Sequence, residues 1–164
     1  MPEFIGSPLG EGRRVALICS RFNHEVVQKL HDGAYATALA HGVSEHDIDV
    51  FWVPGAWELP VTVRRLLETE RYDALVTLGA VIRGDTPHFD YVAGEAARGL
   101  QALSLEFGVP VAFGVLTTDT DAQAEERSGG AHGNKGSDCV VVALEMADLF
   151  ARLDALEGVD DHDA

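Results

Sequence analysis

Four runs of apolar, β-branched residues recur along the chain, each followed by a longer stretch whose apolar positions repeat at helical spacing. The first run, residues 15–19, precedes a segment from Asn23 to about His41 that carries Val26, Val27, Leu30, Ala34 and Ala38 on one face. The second, residues 48–53, precedes a helix expected from Leu59 to about Arg71. The third, residues 74–82, is followed by helical spacing from Phe89 to Phe107. The fourth, residues 109–116, leads into a short helix over 121–128 and a closing helix from about Ser137 to Leu156. Gly42, Gly108 and Gly129 sit where helices should stop, and Asn23, Thr86 and Asp121 where they should start. Strands alternating with helices predict an α/β fold, a four-stranded parallel sheet covered on both faces as a three-layer α/β/α sandwich. The unbroken apolar character of the third run suits a strand buried on both sides. Residues 1–164 read as one domain, with 1–12 as an extended arm and 157–164 as an acidic tail, both extended unless a partner holds them.

Composition narrows the chemistry. A chain of 164 residues fits a single core. Twelve Lys and Arg against 27 Asp and Glu give a net charge of −15, which penalises sequence-independent binding to nucleic acid. Cys19 and Cys139 lie far apart in apolar runs, which fits a reducing compartment and argues against a disulfide scaffold or a zinc site. The apolar runs fall short of the roughly 18 residues of a membrane span, and residues 1–6 show no basic-then-apolar signal. The expectation is a cytoplasmic protein that contacts neither membrane nor nucleic acid. Lys29 and Lys135 are the only lysines and neither stands in a G-x-x-x-x-G-K-[ST] pattern, so a P-loop is excluded. No G-x-G-x-x-G follows the first run, and the histidine spacings match no common metal pattern, so no metal and no dinucleotide are expected.

In an open parallel sheet, ligands bind beyond the carboxyl ends of the strands. Here those places hold residues 20–23, 54–58, 83–88 and 117–120, all of which carry aromatic, ionisable or glycine residues that a plain loop does not need. Thr86 followed by Pro87 reads as an N-cap and a first-turn proline, which sets His88 in the opening turn of a helix. Free backbone N–H groups there suit a phosphate, Gly84 permits close approach, and Asp85 would repel an anion unless it points outward. A neutral imidazole at His88 can accept a proton near pH 7. A capped helix with a surface histidine fits the same residues equally well. Phe22 and Trp57 either stack on a flat heterocycle or cap the core. Glu58 either accepts hydrogen bonds from a ligand's N–H or hydroxyl groups or stabilises its own helix start.

Taken in order, the segments Arg21-Phe22-Asn23, Val53-Pro54-Gly55-Ala56-Trp57-Glu58-Leu59-Pro60, residues 79–92 (GAVIRGDTPHFDYV), residues 113–117 (FGVLT), and Glu126-Arg127 with Gly133-Asn134-Lys135-Gly136 resemble lumazine synthases. The third block is the most specific, and the likeness runs from about residue 14 to residue 150. Trp57 stands where many members have Phe, and Ala131 where some have Lys. The resemblance implies a flavodoxin-like fold and a transferase of riboflavin biosynthesis. Its reaction joins 5-amino-6-(D-ribitylamino)uracil to L-3,4-dihydroxy-2-butanone 4-phosphate, giving 6,7-dimethyl-8-ribityllumazine, phosphate and two waters. It also implies roles: Phe22 stacking on the pyrimidine, the backbone of Ala56, Trp57, Ala80, Val81 and Ile82 holding its edge, and Glu58 taking ribityl hydroxyls. Phe113 completes that pocket from a neighbouring subunit, and Phe22, Glu58 and His88 are implied to face both Phe113 and Arg127 of that adjacent chain. Gly84, Asp85, Thr86, Arg127 and Lys135 bind the butanone phosphate, and His88 moves protons. The implied partners are the two small-molecule substrates, a homopentamer, an icosahedral shell of sixty subunits, which residues 129–136 permit by carrying no obvious insertion, and an enclosed riboflavin synthase.

Two other readings are consistent with βα order. A flavodoxin-like or receiver-like binding module would need an acidic pair or phosphate loop after the first strand, and residues 20–23 supply neither. A non-catalytic shell or flavin-binding relative would not need both His88 and Arg127.

Overall fold

The computed structural model describes residues 1–160 and contains the expected three layers. Strands β1 (Val15–Ser20), β2 (Ile48–Val53), β3 (Ala74–Ile82) and β4 (Val111–Thr118) form one parallel sheet in the order β2-β1-β3-β4. Helices α1 (His24–Ala40) and α5 (Lys135–Asp160) cover one face, and α2 (Leu59–Leu67) and α3 (His88–Phe107) cover the other. The short α4 (Asp121–Glu126) follows β4. Alternate residues of β1 feed opposite cores. Val15, Leu17 and Cys19 pack with Val27, Leu30 and Leu144, while Ala16 and Ile18 pack with Leu59, Val63 and Leu100. Every residue of β1 is buried, as its central place in the sheet demands. Burial of one such Leu or Ile side chain is worth about 1.5–3 kcal/mol, so the two cores dominate the stability. Helices α1 and α5 meet closely at Gly136, where a Cβ would lie 2.2 Å from the Leu30 carbonyl oxygen.

Several boundaries differ from the sequence expectation for identifiable reasons. Helix α2 ends at Leu67, not near Arg71. Glu70 adopts a left-handed conformation (φ 53°), and the chain then turns so that Arg71 reaches Asp49 at 3.3 Å and the Tyr72 hydroxyl donates to the same carboxylate at 2.7 Å. Strand β4 starts at Val111, not Val109. Pro110 has no N–H for the ladder, although its carbonyl accepts from Leu75 N at 2.9 Å, and the strand runs on to Thr118. Helix α3 starts at His88 with Pro87, not Thr86, at the cap position. Thr120 caps α4 through a reciprocal box with Gln123, and that helix stops at Glu126. The chain then forms a small antiparallel hairpin, β5 (Ser128–Gly130) and β6 (Gly133–Asn134), that sequence spacing did not predict.

Helix α5 begins at Lys135, ahead of the expected Ser137, because Asn134 Oδ1 accepts from the backbone of Gly136 at 2.8 Å and of Ser137 at 3.2 Å. It continues to Asp160, so residues 157–160 of the expected tail are helical, and the remainder, 161–164, lies outside the described residues. The arm carries no helix or strand, and it is tied down within its own chain. Ser7 N donates to Asp148 at 2.8 Å, and Gly10 N to the His41 carbonyl at 2.8 Å. Among the described residues, no helix is long and apolar enough to cross a membrane.

Candidate active site

The sheet register opens a site at the carboxyl ends of the strands. Pairing between β1 and β3 stops at Cys19–Leu78, whereas pairing between β3 and β4 continues to Ile82–Thr118. The last residues of β3 therefore have a strand on one side only, and the other row of backbone N–H and C=O groups is free to bond something else. Asn23 takes part of that edge, its Nδ2 donating to the Ala80 carbonyl at 2.9 Å. Asn23 itself is left-handed (φ 57°, ψ 47°), which turns the chain sharply out of β1 and leaves Phe22 69% exposed beside the opening. Two backbone bonds, Arg21 N to the Val53 carbonyl at 2.8 Å and Phe22 N to the Pro54 carbonyl at 3.1 Å, join this turn to the loop after β2.

Between these walls lies a mostly apolar cavity of about 360 Å³. Phe22, Ala56, Trp57, Ala80, Val81, Ile82, Gly84, Thr86 and His88 of the expected site all line it. Gly55, Phe89 and Val92 line it too. His88 and Val92 are one helical turn apart, so Val92 was readable from spacing once His88 was placed in a helix. Three aromatic rings, an open backbone edge and one imidazole fit a flat heterocycle that is held by stacking and edge hydrogen bonds. Glu58 stands next to this cavity, with Oε2 3.4 Å from where a side chain on Gly55 would begin.

The segment from Arg83 to Asp90 is held by Arg83. Its Nε donates to Asp119 at 2.9 Å, its Nη1 approaches Asp90 at 3.5 Å, and the guanidinium lies 4.4 Å from the Phe89 ring centre. The hydrogen bond to Asp119 is the main reason that Arg83 holds its proton even more firmly than usual. Arg83 thus braces the loop. Asp85 is exposed and lines neither this cavity nor the next. The His88 imidazole makes no hydrogen bond within the described residues, and its backbone N reaches Thr86 Oγ1 only at 3.5 Å. Cys19, at the end of β1, is no nucleophile, because burial pushes its thiol up to about 12.

Phe113, Arg127 and Lys135 lie elsewhere, in a second, more polar cavity of about 550 Å³ on the β4 side of the sheet. The two cavities share no lining residue. Phe113 belongs to an edge strand and is 37% exposed, so its ring is not core. Arg127 follows the last turn of α4 and its Nη1 donates to the Gln123 carbonyl at 2.9 Å. Glu126 Oε2 lies 3.5 Å from the same Nη1, so Nε and Nη2 are left without a hydrogen-bond partner among the described residues, a fork suited to phosphate. Gln123 and His132 also line this cavity and were not foreseen. Among the described residues, no group of three or more His, Cys, Asp or Glu side chains could hold a metal ion.

Residues 12–151 match the family described as 6,7-dimethyl-8-ribityllumazine synthase. A protein of that name from Gemmatimonas aurantiaca is 61% identical to this chain over 152 residues, which is 93% of the chain and 93% of the relative.

Proposed function

Since this chain belongs to the 6,7-dimethyl-8-ribityllumazine synthase family, we propose how its two cavities divide that family's reaction between them. The protein is a transferase of riboflavin biosynthesis that condenses 5-amino-6-(D-ribitylamino)uracil with L-3,4-dihydroxy-2-butanone 4-phosphate. The uracil ring lies in the first cavity against Phe22, with Trp57 beside it and its polar edge on the open backbone of residues 80–82 and on Ala56. Glu58 accepts hydrogen bonds from the ribityl hydroxyls. The phosphate lies between the loop at Gly84, Asp85 and Thr86 and the cations Arg127 and Lys135. Asp85 contributes backbone there, since its carboxylate stands in solvent.

Chemistry then needs positioning and proton movement. The substrate's own 5-amino group adds to the ketone and loses water to give an imine, phosphate leaves, and the ribitylamino nitrogen closes the second ring with loss of the second water. His88, at the mouth of the first cavity, takes and returns protons in these steps. Holding the two substrates together supplies much of the remaining rate.

The observation that carries this reading is the separation of the sites within one chain. His88 and the heterocycle cavity are on one side, and Phe113, Arg127 and Lys135 line another. A directional ring joins unlike patches of neighbouring subunits, so each contact in a homopentamer can bring the first cavity of one chain to the second cavity of the next. Twelve such rings make the sixty-subunit shell that the short loop 129–136 permits, with riboflavin synthase as its guest. The whole chain acts as one domain, in the cytoplasm, without cofactor. Purified protein given both substrates is expected to form the lumazine chromophore with no added metal or nucleotide. A folded sample yielding no product above the uncatalysed background would refute the assignment.

A further inference from the structure

Resting on the reading of the second cavity as the phosphate subsite, we propose that His132 is a specificity residue of that subsite: protonated, it supplies the charge that lets the cavity accept a phosphate dianion. The hairpin between α4 and α5 fixes its place. His132 N donates to the Glu126 carbonyl at 2.8 Å, and its side chain lines the cavity with Arg127 and Lys135. Its Nε2 lies 3.6 Å from Glu126 Oε2, and that same oxygen lies 3.5 Å from Arg127 Nη1. One carboxylate oxygen is therefore shared between a permanent cation and a titratable one.

The charges facing His132 come from three directions. Helix α4 and its end bring Glu126 and Arg127, α5 brings Lys135 and Asp138, and β4 brings only the neutral Thr117 and Thr118. With a neutral imidazole, Arg127 and Lys135 are formally cancelled by Glu126 and Asp138, in a chain whose net charge is −15. A dianion has little reason to enter. Protonation adds a positive charge beside the phosphate position and gives Glu126 a second partner, which loosens its hold on the Arg127 fork. Histidine ordinarily changes charge between pH 5 and 8. The sign follows by linkage. Anion binding draws a proton onto the imidazole, and affinity for the anion falls as pH rises through its titration.

Sulfate is the probe, because it has no proton to exchange in this range. Calorimetric titration of the assembled protein with sulfate near pH 7, in buffers of different ionisation enthalpy, is expected to show proton uptake on anion binding. His132→Gln should abolish that uptake, while protons drawn by any other group would persist in the variant. In turnover, the KM for the butanone phosphate in His132→Gln should exceed that of the unaltered protein by about three- to tenfold near pH 6, and the ratio should approach one by about pH 8.5. The substrate's own second ionisation cancels in that ratio. His132→Lys should keep the KM low across the range, and kcat should hold in both variants. Sulfate binding with equal proton uptake in His132→Gln, or a pH-independent KM ratio, overturns the role of His132 alone. No sulfate binding by the unaltered protein overturns the phosphate reading of the cavity, and this inference with it.

Discussion

Alanine in place of His88 is expected to slow turnover by about 10–100-fold, at or below the low end for a general acid–base group. The reacting amine is already a competent nucleophile, so the condensation retains a slow route without the imidazole. The cavity should survive the change. Phe22, Trp57 and the open edge of β3 do not depend on His88, whose ring makes no hydrogen bond within the described residues. An unreactive ribityl-pyrimidine analogue should therefore bind with nearly unchanged Kd while kcat falls. Saturating kinetics and analogue titration measure the two quantities separately. Unchanged turnover would remove His88 from the mechanism.

Arg127→Ala should act on the other substrate. A charge-assisted fork to phosphate is worth about 1.5–3 kcal/mol, so the KM for the butanone phosphate should rise by about 10–100-fold. The guanidinium is prepositioned by one bond to the Gln123 carbonyl, which leaves its remaining donors for the ligand. The KM for the uracil substrate should change by less than about threefold, because ring stacking and the β3 edge are untouched. Steady-state kinetics with each substrate varied in turn gives both values. The reverse pattern would place Arg127 at the heterocycle.

Most of the fold was legible because its strongest signals are local. The bounds of β2 and β3 coincide with their apolar runs, and Gly108 ends α3 in the left-handed conformation that glycine allows. Failures came where one residue's backbone chemistry overrode the pattern. Pro110 delays β4 although Val109 looks like strand, and Thr120 rather than Asp121 caps α4. The hairpin 128–134 has too few residues for any period to show, and with it the position of His132 was hidden. The first cavity was readable from the ends of β1, β2 and β3, since strand-end loops converge in this architecture. Its separation from Phe113 and Arg127 was expected only through the family resemblance, because sequence order does not say that β4 is an edge strand with those residues and Lys135 on its far side.

That separation makes a site shared between neighbouring chains the central claim, and one mixing experiment tests it. His88→Ala and Arg127→Ala proteins are refolded together in equal amounts and assayed at a butanone phosphate concentration below the KM of the arginine variant. If His88 of one chain works with Arg127 of the next, random mixing around a directional ring leaves about a quarter of the sites with both residues intact. The expected result is activity near a quarter of the unaltered protein's, well above either variant alone. Activity that stays at the average of the two variants would put both residues in one chain's site and contradict the shared arrangement.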